Sequence, residues 1–215
     1  MAKKAINKVT IVGCGPGSKK YMTWYALQQI NSAEVLIGSR RLLSLFPDTE
    51  ADTFILNNNY KVLITRIVSL RKKKNIVVLV SGDPGFFSYA KLIIDKIDIE
   101  NCEVIPGISS VQMAFAKIGR SWNDACFMSL HGRTAKLASV VKKIMENDKV
   151  AVLTDNSNNV KLIARKLLEA GLKERKIYIC ENLSLDEERI RKFDVSSILK
   201  IQVRDLNEII FLDED

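Results

Sequence analysis

The sequence predicts an α/β protein of two α/β domains, the N-terminal one on a mostly parallel sheet and the C-terminal one on a mixed sheet. Three observations predict it. Short apolar runs alternate with helix-period stretches through the first half, the pattern of a parallel sheet joined by crossover helices. The stretch Gly119-Arg120-Ser121-Trp122-Asn123-Asp124 interrupts that alternation, and a second set of apolar runs begins beyond it. The later runs of that set leave no room for crossover helices, which makes them antiparallel.

Taken in order, residues 9–12 are a strand, 21–30 a helix, 35–37 a strand, 60–70 a helix, 76–80 a strand, 87–94 a helix, 103–105 a strand and 111–118 a helix. The domains are expected at 1–119 and 120–215. In the second, 125–130 is strand-like, and Leu137, Val140, Val141, Ile144 and Met145 recur at a spacing that places them on one helix face. Residues 150–153 form the next strand. Val160, Ile163, Ala164, Leu167 and Leu168 repeat the helical spacing, and Gly171 follows as a C-terminal cap. The last strands are 177–180, 189–193 and 209–212.

The chain has 215 residues, 47% of them hydrophobic, enough to build real cores, so a disordered chain is excluded. No apolar run approaches the ~18 residues of a membrane span, and the basic start is not followed by a signal-peptide core, so a soluble cytoplasmic protein is expected. Cys14, Cys102, Cys126 and Cys180 are scattered, without metal-ligand spacing, and read as reduced thiols with no metal. The net charge of +8 suits an acidic partner, whether nucleic acid, a membrane surface or a polyanionic small molecule. The basic runs themselves, such as Arg71 to Lys74, sit mostly at predicted helix ends, where cations are favoured or simply solvated.

Chemistry is expected in three loops. The first strand ends in Gly13-Cys14-Gly15-Pro16-Gly17-Ser18, whose glycines would let a backbone approach a ligand. It departs from a dinucleotide fingerprint, since Ser18 stands where the third glycine belongs and no acid ends the second strand. It is not a phosphate-binding P-loop either, lacking Gly-Lys-Ser/Thr. Ser81-Gly82-Asp83-Pro84-Gly85-Phe86 leaves a parallel strand at the edge where open α/β sheets bind ligands. Asp83 there could cap a helix, meet a ligand, or do both. Pro106-Gly107-Ile108-Ser109-Ser110 is the third, with hydroxyls that can cap a helix or bond a ligand.

The order GPG, SGDPG, PGISS resembles the tetrapyrrole methylase family over essentially the whole chain. Gly38-Ser39-Arg40-Arg41-Leu42-Leu43, Phe46-Pro47, the full Pro106 to Gln112 segment, Ser129-Leu130-His131-Gly132-Arg133, Thr154-Asp155-Asn156 and Glu181-Asn182-Leu183 resemble its branch that methylates C5 of a corrin ring in cobalamin biosynthesis. The resemblance implies a C-methyltransferase with S-adenosylmethionine (S-adenosyl-L-methionine) as methyl donor, folded between the domains. Pro16, Gly82, Asp83, Phe86, Ser109, Ser110, Asp155 and Leu183 would bind it.

The substrate would be a corrinoid tetrapyrrole, with His131 and Arg133 facing it. Arginine's planar fork suits the ring's carboxylates, while a lone histidine is more often structural. The resemblance also implies a homodimer acting without nucleic acid or membrane. Ser39 stands where uroporphyrinogen-methylating relatives carry an aspartate, so no catalytic acid or base is assigned. Because the resemblance is used up by Leu212, C15 methylation is expected from a separate protein. Two other readings stay open, rRNA 2′-O-methylation and a non-catalytic corrinoid-binding protein.

Overall fold

The first sheet is assembled from strands that differ in how completely they are apolar. The computed structural model describes residues 7–57, 60–130, 137–155, 159–202 and 207–212, in two compact units, Met1–Ser109 and Ser110–Asp215. In the first unit β1 (Val9–Gly13), β2 (Val35–Gly38), β3 (Asp52–Ile55), β4 (Ile76–Val80) and β5 (Cys102–Ile105) form one sheet in the order β3-β2-β4-β1-β5, every pairing parallel. β1, β2 and β4 are buried along their whole length, as strands covered on both faces must be.

Side-chain alternation divides these strands between two cores. Val9, Ile11, Val35, Ile37, Ile76 and Val78 pack with Leu63 and Ile67 of α3 (Tyr60–Leu70) and Ile93 and Ile97 of α4 (Ala90–Ile97). Val12, Leu36, Val77 and Leu79 pack with Ala26 and Ile30 of α1 (Trp24–Asn31) and Leu42 of α2 (Arg40–Leu43). Thr23 and Ser39 start α1 and α2, their hydroxyls accepting from the Ala26 and Leu42 N–H groups.

Two elements of this unit escaped the sequence pattern, and one was misplaced. β3 is an edge strand of mixed composition with three exposed residues, so it has no apolar run to betray it. α2 is a single turn. The helix expected at 87–94 starts at Ala90, because Phe87 has φ +48 and cannot lie in a right-handed helix.

The second unit opens with α5 (Ser110–Ile118), which lies against β10 (Asn207–Leu212); the loop 119–124, where the sequence division was placed, follows this helix. β6 (Cys126–Ser129), β7 (Lys149–Leu153), β8 (Lys176–Glu181) and β9 (Arg189–Asp194) complete a sheet ordered β6-β7-β10-β8-β9. β6 and β7 are parallel; β10 runs antiparallel to β7 and β8, and β8 to β9, as the short connections predict. Val140 and Ile144 of α6 (Leu137–Glu146) and Val160, Ile163, Ala164 and Leu167 of α7 (Val160–Glu169) form the core with the sheet. Met145, placed by the sequence on the buried face of α6, is half exposed: it falls at the rim of the stripe. Gly171, with φ +89, follows the C-cap of α7 as expected.

Candidate functional site

Because all strands of the first sheet are parallel, the exits of β1, β4 and β5 share one edge, and glycine lets them touch there. A Cβ on Gly13 would lie 2.7 Å from both Gly107 N and Gly82 O. One on Gly107 would lie 2.5 Å from Gly82 O and 2.6 Å from Gly13 O. These are backbone atoms, so no rotamer change relieves the clash. Gly15 and Gly82, with φ +73 and +65, form an antiparallel bridge in which Gly15 N–H donates to Gly82 O at 3.2 Å and Gly82 N–H to Gly15 O at 2.9 Å. Both conformations lie in the left-handed region that glycine alone adopts cheaply.

Asp83 ties this arrangement together. Its Oδ1 accepts from Gly85 N–H at 2.8 Å within its own loop, and its Oδ2 accepts from Gly107 N–H at 3.1 Å across to the next. Asp83 thus caps no helix, since α4 starts at Ala90 with Tyr89 as its N-cap and no side-chain cap bond; its carboxylate is instead a clasp between loops. An ionised carboxylate still has lone pairs to offer a ligand beyond these two bonds.

The other residues expected at the donor in this unit occupy the same three loops. Pro16 and Phe86 are partly buried, Gly82 is buried, and Ser109 is 5% exposed two residues beyond Gly107. Phe86 stacks edge-on against Phe87, with ring centroids 4.8 Å apart. Cys14, in the first loop, is fully buried; burial pushes its thiol up to about 12, the Arg41 guanidinium opposing only part of that. It is a neutral thiol at physiological pH and no nucleophile.

Arg41 was missed as an individual residue, although Gly38 to Leu43 was noted as a pattern. Its Nη2 donates to Ser81 Oγ at 2.9 Å, which puts a guanidinium beside the start of the Asp83 loop. The only available signal was the Arg-Arg pair directly after a strand.

In the second unit β10 is antiparallel to both β7 and β8, so β6, β7 and β8 point the same way and their exits share an edge. Thr154, buried, and Asp155, partly buried, follow β7, while Leu183, 3% exposed, follows β8. The β8 exit is constrained: Asn182 and Ser184 have φ +50 and +70, and Ser184 N–H donates to Glu188 Oε2 at 2.7 Å. Glu188 also pairs with Lys117 of α5 at 2.6 Å. Glu181, wholly buried at the end of β8, holds Arg189 and Arg191, each at 3.0 Å. Glu181 stands in the Glu181-Asn182-Leu183 pattern, but its pairing with the arginines is not readable there, because the register that sets Glu181 opposite Arg189 is a tertiary fact. Ser110 is the first residue of α5. His131 and Arg133 lie outside the described residues.

Two α/β units, with glycine-paired loops on the edge of a parallel sheet and the three motifs in order, define a class, and residues 8–199 match the family of Tetrapyrrole (Corrin/Porphyrin) Methylases. The chain belongs to that family and is a methyltransferase. It is 35% identical over 206 residues to the cobalt-precorrin-7 C(5)-methyltransferase of Salmonella typhimurium, covering 96% of this chain and 99% of that one. Among solved structures it resembles the precorrin-6Y methylase of Archaeoglobus fulgidus, at 25% identity and a TM-score of 0.72 over 95% of this chain and 96% of that one. It shares its fold with the uroporphyrin-III C-methyl transferase of Thermus thermophilus complexed with S-adenyl homocysteine, at 20% identity and a TM-score of 0.76 over 96% of this chain and 98% of that one. Nothing among these relatives supports RNA methylation or a non-catalytic role.

Proposed function

We propose that the chain transfers the methyl group of S-adenosylmethionine to C5 of cobalt-precorrin-7 in cobalamin biosynthesis. The observation that carries the reading is the contact of Gly13, Gly82 and Gly107, which packs the backbones of the three loops together at the carboxyl edge of the first sheet. Backbone groups and small hydroxyls fit a ligand that is part nucleoside and part amino acid. The end-to-end match to a relative named for the C(5) reaction supports the ring position.

When bound, the donor supplies an electrophilic methyl on a sulfonium. The task left to the protein is to hold donor and ring carbon at attack distance away from water, which needs no nucleophilic side chain. We assign Pro16, Gly82, Asp83, Phe86, Ser109 and Ser110 to the donor, together with Asp155 and Leu183 on the second sheet's edge. Asp83 acts twice, by setting the spacing of the second and third loops and by offering its remaining lone pairs. His131 and Arg133 are assigned to the ring, Arg133 through a fork-to-carboxylate contact. The reading includes action as a homodimer in the cytoplasm, and a separate protein for the C15 step, since the matched relative is named for C(5) alone.

Titration calorimetry with S-adenosylhomocysteine tests the donor site: about one molecule should bind per chain, and no detectable binding would sink the reading. Arg133→Ala should raise the KM for the corrinoid and leave S-adenosylhomocysteine affinity unchanged. Loss of both would place Arg133 in the donor site or the fold instead.

A further inference from the structure

The carboxyl edge of the first sheet holds a guanidinium whose donors are mostly unused. Arg41 follows β2 and is exposed. One of its five N–H donors bonds Ser81 Oγ at 2.9 Å, and it makes no ion pair with any described residue. Its charge still reaches the first loop, where it acts on buried Cys14. The neighbouring Arg40 is also exposed but has no such tether among the described residues. An ordinary surface arginine is solvated and free to move; this one is anchored to the residue that opens the Asp83 loop, and so has already lost part of its freedom before any ligand arrives.

We propose that Arg41 is a carboxylate-binding residue of this site, held in place by Ser81. The inference rests on the methyltransferase reading above. The Asp83 carboxylate at this edge is already shared between Gly85 and Gly107 N–H groups, and both partners in the reaction bring a further anion that a guanidinium can hold. The ring substrate carries peripheral carboxylates, and the amino-acid end of the donor carries another. The planar fork accepts either through two parallel bonds, which a lysine cannot reproduce. The Ser81 tether fixes where that fork points relative to the donor loop.

The test uses the full chain with Arg41→Ala, Arg41→Lys, Ser81→Ala and Arg40→Ala. S-adenosylhomocysteine affinity is read by calorimetry and KM for cobalt-precorrin-7 by initial rates, with thermal melting to check folding. Arg41→Ala should weaken one of the two by about tenfold or more, the usual effect of losing a hydrogen bond to a charged group. A rise in KM at constant S-adenosylhomocysteine affinity identifies the ring carboxylate; a loss of that affinity identifies the donor's. Arg41→Lys should recover only part of the loss, and Ser81→Ala should lose a smaller factor, roughly threefold. If Arg41→Ala does not fold, the lysine and Ser81 variants carry the same readout. Wild-type values in both assays for these variants, or an equal effect from Arg40→Ala, overturn the assignment. Failure of the wild-type chain to bind S-adenosylhomocysteine would instead count against the methyltransferase site itself.

Discussion

Gly107→Ala is the sharpest single perturbation of the loop contact. The added Cβ would stand 2.5 Å from Gly82 O, so the second and third loops must part by about 0.9 Å before the pair reaches ordinary contact. That movement stretches the 3.1 Å bond from Gly107 N–H to Asp83 Oδ2 beyond hydrogen-bond range. Overpacking of this kind costs about 1–3 kcal/mol, and a lost bond to a charged acceptor about 1.5–3 kcal/mol. A total of about 3–5 kcal/mol should lower the melting temperature by roughly 10 °C for a chain of this length. S-adenosylhomocysteine affinity should fall at least tenfold, because the loops assigned to the donor are displaced. Circular dichroism melting and calorimetry read the two effects. Gly119→Ala is the control: Gly119 has φ +66 but nothing within 4 Å of its Cβ position, so it carries only the strain of a left-handed alanine, about 1–2 kcal/mol, and should keep ligand affinity. If Gly107→Ala melts and binds like the parent, or Gly119→Ala is as damaging, the close-contact reasoning is wrong.

Asp83→Ala removes the acceptor for both Gly85 and Gly107 N–H and should weaken S-adenosylhomocysteine binding by roughly 1–3 kcal/mol; calorimetry giving equal affinities would take Asp83 out of the site. The Cys14 thiol is raised from 9.0 to about 12, chiefly by burial, so between those values the unfolded chain has released a proton that the folded one keeps. Stability should therefore fall as pH rises from about 9 to 12, by up to ~1.4 kcal/mol per pH unit from this group, and urea unfolding of Cys14→Ala should show a flatter decline; an identical slope would contradict the assignment. Glu181→Ala leaves Arg189 and Arg191 without their buried carboxylate and should cost about 3 kcal/mol, with the half-exposed Arg189 softening the loss. A urea midpoint within error of the parent would show that the cluster adds nothing.

Most of the architecture was legible because burial leaves a periodic trace. β4 is an unbroken apolar run and β1 is broken only by the buried Thr10, since both faces are covered, and α7 shows its stripe because one face alone meets the core. β3 was invisible for the converse reason: an edge strand with three exposed residues has no apolar pattern to display. Phe87 delayed the start of a helix through its backbone conformation, which composition does not reveal. At the site, glycines in three separate motifs were legible one at a time, but their mutual contact depends on the strand order β4-β1-β5 that places them side by side. Glu181 with its arginines, and Arg41 with Ser81, join residues far apart in sequence, and only register and topology bring them together.

The chain should transfer one methyl group, to C5 of the ring. Incubating the purified chain with S-adenosylmethionine labelled with carbon-13 in its methyl group and with cobalt-precorrin-7, then following the product by mass spectrometry and carbon-13 NMR, addresses it directly. A single labelled methyl at C5 is expected, with no release of carbon dioxide. Label on any other ring carbon, or no transfer from a chain that binds S-adenosylhomocysteine, would contradict it.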